Sequence, residues 1–160
     1  GLANRRCLDR MLDLHLQVLD RDQRPFCLMI ADLDHFKQIN DALGHTTGDR
    51  ALVAFASLLQ RQCRAEDLVA RYGGEEFMVL FPDHTLETAA RIAERLRANT
   101  PAATPRELGD LRLHASFGVA QAVPGETAEQ LIRRADAALY HAKSLGRDRV
   151  ETEAADDPPS

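Results

Sequence analysis

In RYGGEEFMVLFP, Arg71 to Pro82, two glycines and two glutamates stand directly before an apolar run that reads as a strand. Asp32 ends an earlier apolar run, FCLMIAD. If the two runs are adjacent strands, Asp32, Glu75 and Glu76 converge at one end of a sheet. Converging carboxylates repel unless something neutralises them, and a hard divalent cation is the usual partner. The plainer alternative is strand-edge charge that blocks edge-to-edge pairing. The glycines fit a two-residue hairpin turn, whose central positions both require positive φ.

The residues after Asp32 add phosphate and base chemistry. In DLDHFKQINDALGHTTGD, Asp32 to Asp49, Asp34 is placed to cap a helix beginning near His35. The N–H groups of that helix's first turn then face outward, ready to receive phosphates, and Lys37 lies in the same turn. Asn40 and Asp49 offer polar groups able to read a base edge. Taken singly, each of these also suits a solvated helix surface.

The elements that must hold these groups follow from periodicity. From Asn4 to Leu19, the positions Leu8, Met11, Leu12 and Leu19 give a helix with one buried stripe. Pro25 separates it from FCLMIAD, whose nearly continuous apolar character suits a central strand covered on both faces. HFKQINDAL reads as a short helix closed by Gly44, and a second helix runs from about Gly48 with Leu52, Phe55 and Leu59 on one face. LVARY and EEFMVLF are two strands joined as a hairpin. Thr85 to Ala98 is helical, LRLHASFGVAQAV is a long strand, and Thr127 with Gln130 forms a capping box for a further helix. Gly146 ends that helix, and DRVE adds a short final strand. A hairpin inside an otherwise alternating chain implies an α/β (α+β) fold with a mixed central sheet flanked by helices. No G-x-G-x-x-G follows the first strand, which speaks against a Rossmann fold.

Composition narrows the class. A chain of 160 residues is the size of one domain and can bury a real core. Its 44% hydrophobic and 28% charged content is that of a soluble globular protein. No apolar run approaches the ~18 residues of a membrane helix, and no signal peptide is read. The net charge of −5 argues against a nucleic-acid or anionic-membrane binder, although a local basic patch can still hold phosphates. Cys7, Cys27 and Cys63 are odd in number with no C-x-x-C pair, which suits reduced thiols in a cytoplasmic domain. The histidines do not cluster at ligand spacing. Residues 1–150 thus read as one domain and ETEAADDPPS, residues 151–160, as a disordered acidic tail. GLANRRCLDRML enters a helix almost at once, as a piece of a longer protein would; that parent could carry a membrane anchor.

Together these stretches resemble the diguanylate cyclase (GGDEF) family, which condenses two GTP into cyclic di-GMP, here with GGEEF as the signature. GLANRR is similar to the end of the family's opening motif, DLDHFKQINDALGHTTGD to its nucleotide-binding stretch and RYGGEEF to its signature loop. SFGVA and ADAALYHAKSLGR are similar to its later strand and last helix. The resemblance covers nearly the whole chain and implies a palm-like, nucleotide cyclase-like GGDEF fold. It implies that Asp32 and Glu75, with the Leu33 carbonyl, hold two Mg²⁺ per active site (or Mn²⁺), and that Glu76 lies near the metals or the attacking hydroxyl. Glu75, Glu76 and Lys37 become the catalytic set. Phe36, Lys37, Asn40, Asp49, Gly73, Gly74, Lys143 and Arg147 become the GTP-binding set, with Asn40 and Asp49 reading guanine. Gly73 and Gly74 would let the nucleotide lie against bare backbone. Lys37, Lys143 and Arg147 would take the triphosphate, the last two being four apart and so on one side of the final helical turn.

RAED, Arg64 to Asp67, resembles the family's inhibitory R-x-x-D motif, which binds the product. Arg91 and Arg95, on one face of the next helix, would supply a second half of that site. The implied enzyme works as a homodimer, because each protomer offers one nucleotide site and two must face each other. Two other readings are open. One is a catalytically silent sensor that binds GTP or cyclic di-GMP and signals through a partner; the other is a purely structural dimerisation module.

Overall fold

The eight residues Phe26–Leu33 form β1, and every one of them is buried. That follows from its place: β1 is the middle strand of a five-stranded sheet ordered β2-β3-β1-β4-β5. A computed structural model describes residues 2–153 of the chain. Within it, β1 is followed by α2 (Phe36–Leu43), α3 (His45–Gln62), β2 (Leu68–Arg71), β3 (Glu76–Pro82) and α4 (Leu86–Asn99). Two short 3₁₀ turns then lead to β4 (Ala115–Gln121), α5 (Ala128–Ser144) and β5 (Val150–Glu153). Ahead of β1 lies α1 (Arg5–Asp22), opened by Asn4, whose side chain accepts the Cys7 N–H at 2.8 Å. Strands β3 and β4 both flank β1 antiparallel, β2 pairs antiparallel with β3, and β5 runs parallel to β4 after the α5 crossover. The expected mixed sheet is present.

Alternation along the strands sorts the core into two layers. Met29, Phe77 and Phe117 face α2, α3 and α4, packing with Phe36, Phe55, Leu59 and Leu96. Leu28, Ile30, Met78 and Leu80 face the opposite way, against Leu8, Leu12 and Leu16 of α1 and Leu131, Ala135 and Leu139 of α5. The capping box at Thr127 and Gln130 sets the start of α5. One residue decides how closely that helix lies on the sheet. A Cβ on Gly118 of β4 would stand 2.3 Å from the Leu139 backbone nitrogen and 2.4 Å from the Ala135 carbonyl oxygen, so α5 rests directly on a bare strand.

Several expected details differ. The β2–β3 connection contains Tyr72 to Glu75 rather than two residues, with the Tyr72 and Gly73 N–H groups both donating to the Glu76 carbonyl at 2.9 and 3.3 Å. Spread over four residues, the reversal needs no primed turn, and neither Gly73 nor Gly74 is left-handed. Helix α3 starts at His45 instead of near Gly48, because Gly44 (φ 90°) both ends α2 and opens α3. Strand β4 is shorter than the apolar pattern of LRLHASFGVAQAV suggests. Its last partner on β1 is Leu33 opposite Ala115, and the Leu113 N–H bonds the Thr104 hydroxyl instead. At the other end, Glu151 to Glu153 belong to β5 and not to a disordered tail; the remainder of that tail lies outside the described residues. The three cysteines are free thiols, and burial pushes Cys27 and Cys63 up to about 12. Among the described residues, no helix is long and apolar enough to cross a membrane.

Candidate active site

Asp32 is the seventh residue of the central strand, opposite Glu76 of β3 on one side and Ser116 of β4 on the other. Pairs directly opposite in an antiparallel ladder present their side chains to the same face. That face is the one covered by α5, and Lys143, one turn beyond Leu139, reaches Asp32 with an Nζ–Oδ2 distance of 2.5 Å. The other carboxylate oxygen, Oδ1, is buried without any hydrogen-bond partner. Burial raises the Asp32 pKa, the Lys143 hydrogen bond opposes that rise, and the Asp34 charge adds to it.

Glu75 sits in the loop just before β3 and lines the same pocket as Asp32, together with Phe36, Lys37, Lys143 and Arg147. Its pKa is raised, first by burial and then by the Asp32 charge. Glu76 is also raised, by burial, by Asp136 of α5 and by Asp32. Asp32 and Glu75 thus share one pocket, and Glu76 stands opposite Asp32 in the ladder. Among the described residues, no three His, Cys, Asp or Glu side chains gather closely enough to form a complete metal cage. An orphaned buried carboxylate oxygen beside a second carboxylate nevertheless fits Mg²⁺, which uses one or two protein carboxylates, keeps several waters and takes further oxygens from substrate phosphates.

The left-handed His35 (φ 57°) opens α2 with no side-chain cap. Asp34 does not cap it, contrary to expectation, because both its oxygens are engaged elsewhere: Oδ1 accepts from the Ser116 hydroxyl at 2.7 Å and Oδ2 from the Asp148 N–H at 2.9 Å. Lys143 and Arg147 line one pocket as expected, but not by helical spacing. Helix α5 stops at Ser144, and Gly146 (φ 118°) and Arg147 (φ 65°) turn the chain back. The Gly146 N–H bonds the Lys143 carbonyl and the Arg147 N–H the Ala142 carbonyl, the paired bonds of a Schellman motif.

Asn40 lies against Gly48, the residue before Asp49. A Cβ there would stand 1.7 Å from the Asn40 Oδ1, so only glycine lets that amide lie across the start of α3. Asp49 is exposed and lines a different pocket from that of Asp32 and Glu75, with walls that include Leu52, Val53, Phe77 and Arg71. Gly73 and Gly74 are exposed, and a Cβ on Gly74 would meet nothing within 4 Å. Arg71, which no motif role singles out, also bears on the site. Its Nε bonds the Gly73 and Gly74 carbonyls at 3.3 and 3.1 Å, and its Nη2 bonds the Gly74 carbonyl at 2.5 Å, which fixes the loop carrying Glu75. Its position just before YGG was the only signal.

A second cluster lies between the end of α3 and β2. The Arg64 N–H donates to Asp67 Oδ2 at 2.8 Å, and its guanidinium reaches His84 at 3.1 Å. Asp67 Oδ1 is buried without a hydrogen-bond partner. Arg95 donates to the Gln62 carbonyl at 3.0 Å and so adjoins this turn, whereas Arg91 is held by Glu87 at 2.6 Å.

The chain matches the family described as diguanylate cyclase, GGDEF domain, over residues 1–149. It is 41% identical over 152 residues to the diguanylate cyclase DgcP of Pseudomonas aeruginosa, covering 94% of this chain and 23% of that protein. It is 42% identical over 159 residues to the response regulator PleD of Caulobacter vibrioides, covering 97% and 35% respectively. Among solved structures, the active GGEEF domain of a diguanylate cyclase from Vibrio cholerae superposes with a TM-score of 0.90 at 30% identity, covering 98% of this chain and all of that one. The GGDEF domain of DgcB from Caulobacter crescentus, in complex with c-di-GMP, superposes with a TM-score of 0.88 at 37% identity, covering 95% and 91%. This chain belongs to the GGDEF diguanylate cyclase family. It spans roughly a quarter to a third of the length of these curated relatives.

Proposed function

We propose that the chain condenses two GTP into cyclic di-GMP and releases two pyrophosphates. The observation that carries this reading is the pocket at the end of β1. There the unpartnered Asp32 oxygen and Glu75 face three cationic residues, Lys37, Lys143 and Arg147. Carboxylates beside cations in one pocket suit a metal-bound triphosphate better than either charge alone. Asp32, Glu75 and the Leu33 carbonyl would hold two Mg²⁺ (or Mn²⁺). What a bound divalent pair supplies is activation of the attacking oxygen and shielding of the leaving pyrophosphate.

The chain's own groups account for the rest. Lys37 and Arg147 bind the triphosphate, and Lys143 exchanges its Asp32 contact for a phosphate oxygen when nucleotide enters. Phe36 walls the pocket, and Glu76 lies on the side from which the 3′-hydroxyl approaches. Gly73 and Gly74 leave the backbone open to the nucleotide, while Asn40 and Asp49 read guanine. Each chain has one such pocket, and the reaction joins the 3′-hydroxyl of one GTP to the α-phosphorus of another in both directions. Two protomers must therefore face each other with their nucleotides antiparallel. Fusion to a parallel coiled coil is expected to raise GTP turnover per chain. A fused chain that binds GTP but never consumes it would instead be the silent sensor.

Base reading has its own test. Asp49→Asn loses part of an acceptor for the ring and amino N–H groups of guanine, and an unmatched polar contact of this kind costs about 1–3 kcal/mol. GTP affinity is expected to fall while ATP affinity stays level, as measured by competition. Equal losses would mean a general defect.

The Arg64 cluster is proposed as the product site, with Asp67 and Arg95 completing it and Arg91 at its margin. The cyclic di-GMP complex of the DgcB domain supports a ligand of this kind. In Arg64→Ala the backbone N–H of residue 64 still satisfies Asp67 Oδ2, so the turn survives. Hydrogen bonds to a charged group contribute about 1.5–3 kcal/mol, so cyclic di-GMP affinity should drop roughly 10- to 100-fold. GTP binding is expected to stay intact. Unchanged cyclic di-GMP affinity would reduce RAED to a surface charge pair.

A further inference from the structure

Asp34 is 7% exposed, and both its oxygens are committed to bonds that join distant parts of the chain. Oδ1 accepts from Ser116 of β4, and Oδ2 accepts from the backbone N–H of Asp148, in the turn between α5 and β5. Its own N–H donates to the His114 carbonyl at 2.8 Å. The exit of β1 is thereby tied both to β4 and to the turn between α5 and β5.

The turn it holds is a demanding one. Arg147 and Asp148 are consecutive non-glycine residues with φ of 65° and 47°. Such backbone persists only where surrounding contacts impose it. Asp148 supplies further anchors, its carboxylate meeting Arg97 at 3.1 Å and His114 at 3.4 Å. Arg147 stands between this pinned residue and the glycine that closes α5, and it lines the pocket of Asp32 and Glu75. Its place is therefore held on one side by its own N–H bond to Ala142 and on the other by a bond that Arg147 itself does not make, from the Asp148 N–H to Asp34.

We infer that Asp34 is a positioning residue for the triphosphate: it clasps the Asp148 N–H, keeps the left-handed turn in place and so presents Arg147 to the pocket. This rests on the proposed reading of Arg147 as a phosphate ligand. Asp34→Asn tests it selectively, because a carboxamide has one acceptor oxygen and an NH₂ group. Its oxygen can still accept from Asp148 while its NH₂ donates to the Ser116 hydroxyl, so the clasp keeps its shape and loses only its charge assistance.

The probes are 3′-deoxy-GTP, which lacks the attacking hydroxyl and cannot be condensed, and GMP, which lacks the outer phosphates. Affinities are measured at fixed Mg²⁺ for wild type, Asp34→Asn, Arg147→Ala and the double variant, alongside amide hydrogen exchange. Asp34→Asn is expected to bind 3′-deoxy-GTP about 3- to 10-fold more weakly and GMP within about twofold of wild type, as the weakening of one charge-assisted contact to a neutral one implies. Exchange should quicken at Asp148 and not within α5. The double variant should bind no more weakly than Arg147→Ala, since the clasp acts only through that arginine. Ser116→Ala leaves the Asp148 bond in place and is the milder companion should Asp34→Asn unfold; it is expected to show a smaller loss confined to 3′-deoxy-GTP. Equal weakening of both nucleotides, or an undiminished Asp34→Asn effect in the Arg147→Ala background, would overturn the clasp alone. Wild-type binding of 3′-deoxy-GTP by Arg147→Ala would overturn the phosphate reading of that arginine, and the clasp with it.

Discussion

Glu75→Gln is expected to leave a folded protein whose GTP turnover has fallen ~10²-fold or more, the usual cost of removing an electrostatic partner from a reacting phosphate. Glutamine keeps the size and most of the hydrogen bonding of the side chain and removes its charge. The residue belongs to a partly exposed loop and not to the core, so its loss has little to unfold. The loop is also held independently, by Arg71 on the Gly73 and Gly74 carbonyls. In the wild type, burial and the Asp32 charge both oppose ionisation of Glu75, a cost that a cation bound at the proposed site would relieve. Circular dichroism and a coupled pyrophosphate assay on the dimerised chain give the two readouts. Turnover within a few-fold of wild type would remove Glu75 from the metal site.

The second large effect is structural. Gly118→Ala is expected to destabilise the fold by about 3 kcal/mol, the upper part of the usual range for overpacking. Its methyl group would meet backbone atoms of Leu139 and Ala135 at 2.3–2.4 Å, and backbone cannot rotate away as a side chain can. Helix α5 must lift off β4, carrying Lys143 away from Asp32. For a domain of this size that corresponds to a fall in Tm of about 6–12 °C, and turnover should drop beyond what the unfolded fraction explains. An unchanged melting temperature would mean that α5 does not bear on the bare strand.

What was legible in the sequence was mostly local. FCLMIAD announced a strand buried on both faces, which runs one residue further to Leu33, and Thr127 with Gln130 announced the start of α5 by a capping box that forms as expected. What failed depended on partners far along the chain. Asp34 has the spacing of a helix cap, but its bonds run to Ser116 and Asp148, at separations of 82 and 114 residues. The end of β4 is set by where β1 runs out, which an apolar pattern cannot reveal. Lys143 and Arg147 were rightly placed together for an incorrect reason, since a Schellman turn and not a helical repeat brings Arg147 round. The two glycines of the signature suggested a tight turn; the four-residue loop leaves them exposed and in ordinary backbone conformation, which shifts the reason for glycine from strain to open access. The role of Gly48, visible only as a close approach to Asn40, had no sequence signal beyond the residue itself.

The most direct test of the proposed activity is to incubate the coiled-coil-fused chain with GTP and Mg²⁺ and to identify the products by mass while counting pyrophosphate. Condensation by two facing protomers predicts cyclic di-GMP as the nucleotide product, with two pyrophosphates released for each molecule formed. GTP left intact, or converted only to GDP and inorganic phosphate, would contradict it.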